Sequence, residues 1–296
     1  MLHRAETLAA ISVGVALAVL GLKAAAWWMT GSVALFADAM ESVVNVAAAG
    51  AALVAIRFAA IPADANHPYG HHKAEYFAAV LNGALILAAA FVILYEAWNA
   101  WLSPRVPLLT AGAFAVSLTA TAINAFWSWV LFRRGKALRS PALLADARHL
   151  LADVVTSVGA LAGLALALAT GLLWLDPLLG ALTALNILYS GLRLVRESVG
   201  GLMDEAVPPE TQGKLRDILA TEAEGAIEAH DIRARQAGPR LFIEFHLVVP
   251  GEMRVVEAHA ICDRVEAALR KALGEATITI HVEPEGKAKH RGVVVL

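Results

Sequence analysis

Two apolar stretches each carry polar residues of the types that bind transition metals. In "FADAMESVVNVAAAG", Glu41 and Asn45 are four residues apart, and in "LLADARHLLADVV" so are His149 and Asp153. Residues four apart share one face of a helix, so each pair would point in a single direction. One imidazole nitrogen, two carboxylates and one amide oxygen form a suitable tetrahedral set for a divalent transition metal. Together the two stretches predict a metal site shared by two helices.

The surroundings of these pairs place them at bilayer depth. Asp38 and Asp146 lengthen the two polar stripes by one turn each, and small residues flank both stripes, which favours close helix packing. An ionised carboxylate at the centre of a membrane helix costs roughly 2.5–3.5 kcal/mol. Such groups persist where they face a bundle interior, a water cavity or a cation. For either stripe alone, a buried hydrogen-bonded network without metal is an equal alternative.

A third cluster of ligand types occurs in "PADANHPYGHHKAEYF". Asp64, His67, His71 and His72 follow one another closely around a Pro-Tyr-Gly turn. A carboxylate and imidazoles on one turn make a compact metal-binding unit. Loops also favour Asp, Asn, Pro and Gly for conformational reasons, so a solvated loop explains the composition equally well. The spacing alone leaves both interpretations open.

These clusters must be positioned by membrane helices. The chain is 58% hydrophobic and 17% charged, with a mean hydropathy of +0.62. Apolar windows long enough to span a bilayer predict six helices, the first of them retained rather than cleaved as a signal peptide, near residues 7–29, 33–59, 74–101, 110–132, 141–170 and 174–199. The net charge of −2 gives no argument for a nucleic-acid partner, and a single cysteine excludes a disulfide framework or a cysteine-rich metal site.

Basic residues in the connecting links predict the orientation. Residues 133–139 alone contain Arg133, Arg134, Lys136 and Arg139, whereas Arg105 is the one basic residue in the first, third and fifth links. Because Lys and Arg collect on the cytoplasmic side, both termini are expected in the cytoplasm, with the helices in the inner (plasma) membrane. Lys23, near the outer end of the first helix, is expected to snorkel to the interface.

Beyond Gly201 the sequence becomes charged and proline-broken, which predicts a soluble domain. The pattern indicates helix, strand, strand, helix, strand over 209–222, 227–236, 240–249, 254–273 and 276–283. We expect Gly238-Pro239 to form the hairpin turn and two helices to cover the apolar face of a small α+β sheet. The expected domains are therefore residues 1–204, residues 205–286 and a disordered tail over 287–296.

Histidines fall on the polar face of this sheet. In "RLFIEFHLVV" and "ATITIHV", apolar residues alternate with polar ones, which puts His246 and His281 on one face. His230 and His259 are expected near them, and Glu283 follows at the end of the last strand. A single strand histidine is usually surface decoration, but four histidines in one small domain favour a second metal centre.

Taken together, the motifs resemble those of the cation diffusion facilitator family of metal exporters over almost the whole chain. The resemblance is carried by "GSVALFADAMESVVN", "PADANHPYGHHKAE", "DARHLLADVVTSVGAL" and "HDIRARQAGPRLFIEFHL". It implies a homodimer of six-helix subunits whose cytoplasmic αββαβ domains, similar to metallochaperones, pair with each other. The expected partners are thus a second copy, metal ions, protons and lipid.

The resemblance also implies roles for individual residues. The transport site maps onto Glu41, Asn45, His149 and Asp153, and the loop site onto Asp64, His67 and His71. The binuclear tail site, with His246 as the bridging ligand, maps onto His230, His246, His259, His281 and Glu283. Lys73 and Asp204 match a pair that links the membrane and tail domains in relatives, although an ordinary surface ion pair is the alternative.

One departure from the family pattern affects the expected metal. Bacterial relatives usually have Asp or His, then Asp, where this chain has Glu41 and Asn45, so one charge and one proton acceptor are missing. The histidines favour Zn²⁺, while oxygen-rich ligation leaves Fe²⁺, Mn²⁺, Co²⁺ or Cd²⁺ as alternatives. The metal is expected both as transported ion and as regulator.

The expected activity is export of the metal in exchange for protons, by alternating access between the second and fifth helices. The sequence has no G-x-x-x-x-G-K-[ST] loop, which argues against ATP as the energy source. It also lacks the H-E-x-x-H of a membrane metallohydrolase. A metal sensor with a mere membrane anchor would not need polar stripes on two spans.

Overall fold

A computed structural model describes residues 2–103, 106–108, 110–138, 141–238, 240–289 and 292–295. The chain divides into two compact units. The first comprises Met1–Val54 and Ala79–Val195, and the second comprises Ala55–Ala78 and Arg196–Leu296.

Six long helices form the membrane part of the described chain. They are α1 Leu2–Thr30, α2 Val33–Ala59, α3 Ala74–Leu102, α4 Ala111–Leu138, α5 Pro141–Thr170 and α6 Leu175–Leu202. All six are long and apolar enough to cross a bilayer. The predicted six-helix arrangement is therefore confirmed. The prediction ended the fourth span near residue 132, but α4 continues to Leu138, because hydropathy locates the lipid-facing part of a helix and not its last hydrogen bond.

Lys23 corrects an expectation. Its side chain is 2% exposed, and its Nζ lies 2.8 Å from Oδ1 of Asp38 on α2. The prediction that Lys23 snorkels to the interface is wrong. An apolar window shows how deep a residue lies but not which neighbour it faces, and the nearby carboxylate offers the ammonium a partner inside the bundle.

The N-terminus of α2 is capped by a residue of another helix. Asp176 of α6 accepts hydrogen bonds from the Ser32 hydroxyl (2.5 Å) and from the backbone N–H groups of Val33 (2.8 Å) and Ala34 (3.3 Å). The first N–H groups of a helix have no partner within the helix, and a carboxylate there also meets the positive end of the helix dipole. Gly180 permits the close approach, since a Cβ there would lie 2.6 Å from Cγ1 of Val33.

The C-terminal domain is a four-stranded sheet with two helices. Its elements are α7 Pro209–Glu222, β1 Glu228–Ala237, β2 Arg240–Val249, α8 Val255–Leu273, β3 Ala276–Pro284 and β4 Val293–Val294. The strand order is β3-β2-β1-β4, with β1 antiparallel to β2 and β4, and β2 parallel to β3. Parallel neighbours need a crossover connection, which α8 supplies. This confirms the predicted αββαβ core.

Alternation along β2 separates a packed face from a polar one. Leu241, Ile243, Phe245 and Leu247 are buried in a core with residues of both helices. The hairpin between β1 and β2 turns at Gly238, whose φ of 53° suits a residue without a Cβ. Pro239, the other predicted turn residue, lies outside the described residues.

The last residues add to the sheet. Glu228 and Ala229 of β1 pair with Val294 and Val293 of β4, and a short 3-10 turn at Glu285–Lys287 precedes them. The prediction of a disordered tail over 287–296 did not include this pairing of Val293–Val294. These two residues are too few for a pattern to identify, and they gain order because the edge of β1 offers unpaired backbone groups.

Candidate metal centre

The polar stripes of α2 and α5 meet at one pair of side chains. The Asn45 amide donates a hydrogen bond to Oδ2 of Asp153 at 3.4 Å. Asp153 is 5% exposed. Its other oxygen, Oδ1, and Oε2 of Glu41 are buried and have no hydrogen-bond partner among the described residues. A buried carboxylate oxygen left unpaired is costly, and a cation would remove that cost for both groups.

His149 stands apart from these three residues. It lies one turn before Asp153 on α5 and is exposed in the single chain. Among the described residues, two groups of three side chains bring ligand atoms within 4.8 Å of one another, and neither lies in the membrane helices. The structure thus joins Asn45 to Asp153 but does not gather all four predicted ligands. The role of the quartet stays a prediction, and the side chain of Asp146 lies outside the described residues.

The loop between α2 and α3 contains the first assembled group. Oδ1 of Asp64 accepts hydrogen bonds from the backbone N–H groups of Asn66 (2.9 Å) and His67 (2.7 Å). Nδ1 of His67 lies 3.3 Å from Oδ1 of Asp64, and Nε2 of His71 lies 3.6 Å from its Oδ2. The structure therefore brings together Asp64, His67 and His71 as a carboxylate between two imidazoles.

This loop also holds its ligands in place. Nδ1 of His71 lies 3.3 Å from the carbonyl oxygen of Ile61, a contact that can fix the tautomer and leave Nε2 to bind an ion. The backbone N–H of His67, more than any other group, holds the pKa of Asp64 below its usual value. Asp64 is thus ionised at neutral pH, as a metal ligand must be.

The second assembled group lies on the polar face of the C-terminal sheet. His230, His246 and His281 occupy one row across β1, β2 and β3. The carboxylate oxygens of Glu283 lie near all three rings, at 3.3 Å from Nε2 of His230, 3.2 Å from Nδ1 of His246 and 3.7 Å from Nε2 of His281. His230, His246 and Glu283 meet the distance criterion for a shared ion, and His281 adjoins them.

A β-bulge aligns this row. The register of β1 against β2 shifts between His230 and Arg233, and Asp231 in between has a φ of 51°. Bulges re-aim side chains, and here His230 still faces His246 with its ring 97% buried. Sequence reasoning missed Glu228, whose Oε1 lies 3.7 Å from Nδ1 of His230. The spacing of Glu228 and His230 could have indicated this contact, because residues two apart in a strand share a face.

His259 is not part of this group within one chain. It lies on α8, which packs against the apolar face of the sheet, whereas the histidine row is on the opposite face. Its side chain is 74% exposed, and its Nε2 lies 3.7 Å from Oδ1 of Asp263. The structure therefore separates His259 from the other four predicted tail ligands.

Lys73 and Asp204 form the pair that the sequence predicted. Nζ of Lys73 lies 2.8 Å from Oδ1 of Asp204 and donates to the carbonyl oxygen of Leu202 at 3.2 Å. Arg235 of β1 contacts the same Asp204 oxygen at 3.0 Å. The hydrogen bond from Lys73, followed by the charge of Arg235, lowers the pKa of Asp204. One carboxylate thus links the start of α3, the end of α6 and the sheet.

Six apolar helices joined to a small domain with clustered histidines and carboxylates define a polytopic membrane protein that handles metal cations. The model of the Cation efflux transmembrane domain matches residues 3–203, and that of the Cation efflux protein cytoplasmic domain matches residues 207–285. The chain belongs to the cation efflux family, the cation diffusion facilitators.

Relatives cover nearly the whole chain. The chain is 42% identical over 280 residues to the uncharacterized transporter sll1263 of Synechocystis sp., covering 95% of this chain and 90% of that protein. It is 35% identical over 286 residues to the cation-efflux pump FieF of Pectobacterium atrosepticum, covering 95% and 93%. A solved structure of the candidate zinc transporter CzrB in its Zn form is 50% identical, covers 29% of this chain and 98% of its own, and gives a TM-score of 0.28.

Proposed function

We propose that this protein exports a divalent transition-metal cation from the cytoplasm in exchange for protons. Zn²⁺ is the preferred cargo, with Fe²⁺, Mn²⁺, Co²⁺ or Cd²⁺ as alternatives. The observation that carries the proposal is the α2–α5 contact, where Asn45 donates a hydrogen bond to Asp153 and carboxylate oxygens of Glu41 and Asp153 are buried without a partner among the residues that the structure describes. Intramembrane carboxylates in such a position are typical of ion pathways.

The charges of the site support a dication as cargo. Glu41 and Asp153 together supply two negative charges, which one M²⁺ would neutralise. Asn45 adds a neutral oxygen, and His149 adds the nitrogen that favours Zn²⁺ over Mg²⁺ or Ca²⁺. His149 is exposed on α5 and Asp153 is buried one turn away, so binding requires the imidazole to turn towards the carboxylates.

Proton exchange follows from the same pair of carboxylates. Neither group is stable as a bare ion in a low-dielectric interior, so each holds either the metal or a proton. A metal that arrives from the cytoplasm displaces protons, and protons that arrive from outside displace the metal. Mutual exclusion at one site couples the two fluxes, and alternating access exposes that site to each side in turn.

The two assembled clusters would serve regulation. We assign Asp64, His67 and His71 to one cytoplasmic metal ion, and His230, His246, His281 and Glu283 to a centre in the tail domain. His259 lies away from this centre and would join it only from another copy of the chain, in agreement with a homodimer. Both termini would then be cytoplasmic and the helices would lie in the inner membrane.

Transport into proteoliposomes tests the proposal. With a pH gradient imposed across the membrane, we expect Zn²⁺ uptake by the wild-type chain and none by Asp153→Ala. Asp217→Ala is the matched control, because it removes an exposed carboxylate on α7. Uptake by Asp153→Ala at the wild-type rate, or no uptake by any variant including wild type, would refute the proposal. Neither a metallohydrolase nor an anchored sensor would move metal.

A further inference from the structure

Three membrane helices meet at a buried ion pair that the metal site does not use. Nζ of Lys23 on α1 lies 2.8 Å from Oδ1 of Asp38 on α2, and the side chains are 2% and 4% exposed. The hydroxyl of Ser157 on α5 donates to the same oxygen at 2.8 Å. We call Lys23, Asp38 and Ser157 the charge clamp. A lysine and an aspartate at membrane depth are each too costly to persist without such partners.

The charge clamp lies one helical turn from the proposed transport site. Asp38 precedes Glu41 by three residues on α2, and Ser157 follows Asp153 by four residues on α5. Residues at these spacings are neighbours on a helix surface. Two side-chain hydrogen bonds between these helices, Asp38–Ser157 and Asn45–Asp153, lie in antiparallel order. The clamp and the site are thus successive layers of one α2–α5 interface.

The clamp also affects the site electrically. Asp38 lies one helical turn from Glu41 and is in contact with Lys23, so both charges of the clamp are close to the carboxylates of the site. Without Asp38, the Lys23 ammonium would oppose the binding of a dication at the site. Without Lys23, the Asp38 carboxylate would attract the dication, because charges are weakly screened in a low-dielectric interior. The pair cancels both effects. Oδ1 of Asp38 accepts hydrogen bonds from both Lys23 and Ser157, which holds this carboxylate towards the clamp.

We propose that Lys23, Asp38 and Ser157 are positioning residues that set the affinity of the transport site. The clamp fixes α1, α2 and α5 at the level of Glu41 and Asp153 and limits the free charge there to the two carboxylates that one dication neutralises. This inference rests on the proposed function, since it concerns the same site.

The test is the KM for Zn²⁺ uptake into proteoliposomes, measured with the full chain. Asp38→Asn leaves a buried ammonium with a neutral partner, and we expect KM to rise at least tenfold with a smaller change in maximal rate. Lys23→Met combined with Asp38→Asn removes both charges, and we expect KM to return to within threefold of wild type. Glu210→Gln breaks the exposed Lys214 pair as the control and should leave KM unchanged.

Each outcome decides the matter. An unchanged KM in Asp38→Asn, or a double variant no better than Asp38→Asn when both unfold at the same temperature, overturns the inference. If Asp38→Asn does not fold, Lys23→Gln replaces it. That variant leaves an extra carboxylate, so KM should fall, and an unchanged KM overturns the inference.

Asp153→Ala, measured in parallel, separates the two proposals. Zn²⁺ uptake by this variant would refute the transport site itself. Its inactivity, together with a wild-type KM in Asp38→Asn, would refute the clamp alone.

Discussion

The candidate membrane site and the tail cluster contain similar potential ligands but arrange them differently. In the tail domain, Glu283 lies 3.2–3.7 Å from three histidines that the strand register aligns. In the membrane, Asn45 meets Asp153, but Glu41 has an oxygen without a hydrogen-bond partner in the described part of the chain, and His149 is exposed. The structure brings the tail side chains together in one cluster, whereas it does not gather the four side chains of the membrane site.

The difference teaches what each site is suited to do. A rigid, preassembled site loses little entropy on binding and holds its ion tightly. A transport site must also release the ion on the other side, so ligands on two separate helices are an advantage there. The contrast has a structural cause: hydrogen-bonded strands hold the tail side chains, whereas apolar packing and side-chain hydrogen bonds join α2 to α5.

The largest difference between the regions should appear when the same chemical change is made in each. Glu41→Gln removes a carboxylate from the membrane site, and we expect Zn²⁺ uptake to fall to background, a loss of more than about 100-fold. Glu283→Gln makes the same change in the tail cluster, and uptake should stay within about threefold of wild type because the pathway itself is intact. Equal losses in both variants would erase the contrast.

Metal removal should affect the tail domain through its stability. An ion that binds only the folded state at a hundredfold excess over its Kd stabilises that state by about 2.7 kcal/mol. We therefore expect a chelator to lower the Tm of the full chain by several degrees. His246→Ala should have the lower Tm both with and without the chelator. In Asp153→Ala, the chelator should still lower the Tm as it does in the wild-type chain. A chelator response that survives His246→Ala would locate the stabilising ion elsewhere.

Substitutions at Asn45 test how the neutral amide affects metal binding at the membrane site, compared with a carboxylate at the same position. Asn45→Asp restores a charged ligand, and we expect Zn²⁺ binding to tighten by about tenfold, or about 1.4 kcal/mol, with a changed order of preference among competing metals. Asn45→Ala should weaken binding instead. Competition titrations on the purified chain measure both effects, and an unchanged profile in both variants would mean that Asn45 is not a ligand.

The smallest effect is expected at Asp204. Since Lys73 lowers the pKa of this carboxyl, its contribution to stability is present above about pH 4 and is lost as the pH falls through the lowered pKa. Both partners are more than a third exposed, so Asp204→Asn should cost under about 1 kcal/mol at pH 7. Asn tolerates the φ of 61° found at this position, so the substitution removes the charge without straining the backbone. Denaturant unfolding at pH 7 and pH 3 should show a smaller cost at pH 3 than at pH 7.

Much of this architecture is predictable because each environment allows few solutions. A bilayer admits only helices or closed barrels, so six apolar windows are sufficient to predict six helices. Alternation with a period of two is equally restrictive in the soluble domain. It puts Leu241, Ile243, Phe245 and Leu247 into the core and His246 beside His281.

What could not be predicted depends on contacts between distant parts of the chain. The partner of Lys23 is 15 residues away on another helix, and an apolar window contains no information about it. His259 has the right residue type, but its helix covers the wrong face of the sheet. The β4 pairing involves two residues, fewer than any periodicity can register. Composition and spacing thus predicted the candidate ligands but not which of them meet.

The cap that Asp176 places on α2 has a mechanical consequence. Because one carboxylate of α6 accepts three hydrogen bonds from Ser32 and the first two residues of α2, the beginnings of these two helices should move together. A tilt of α2 that separated Asn45 from Asp153 would therefore move the beginning of α6 as well.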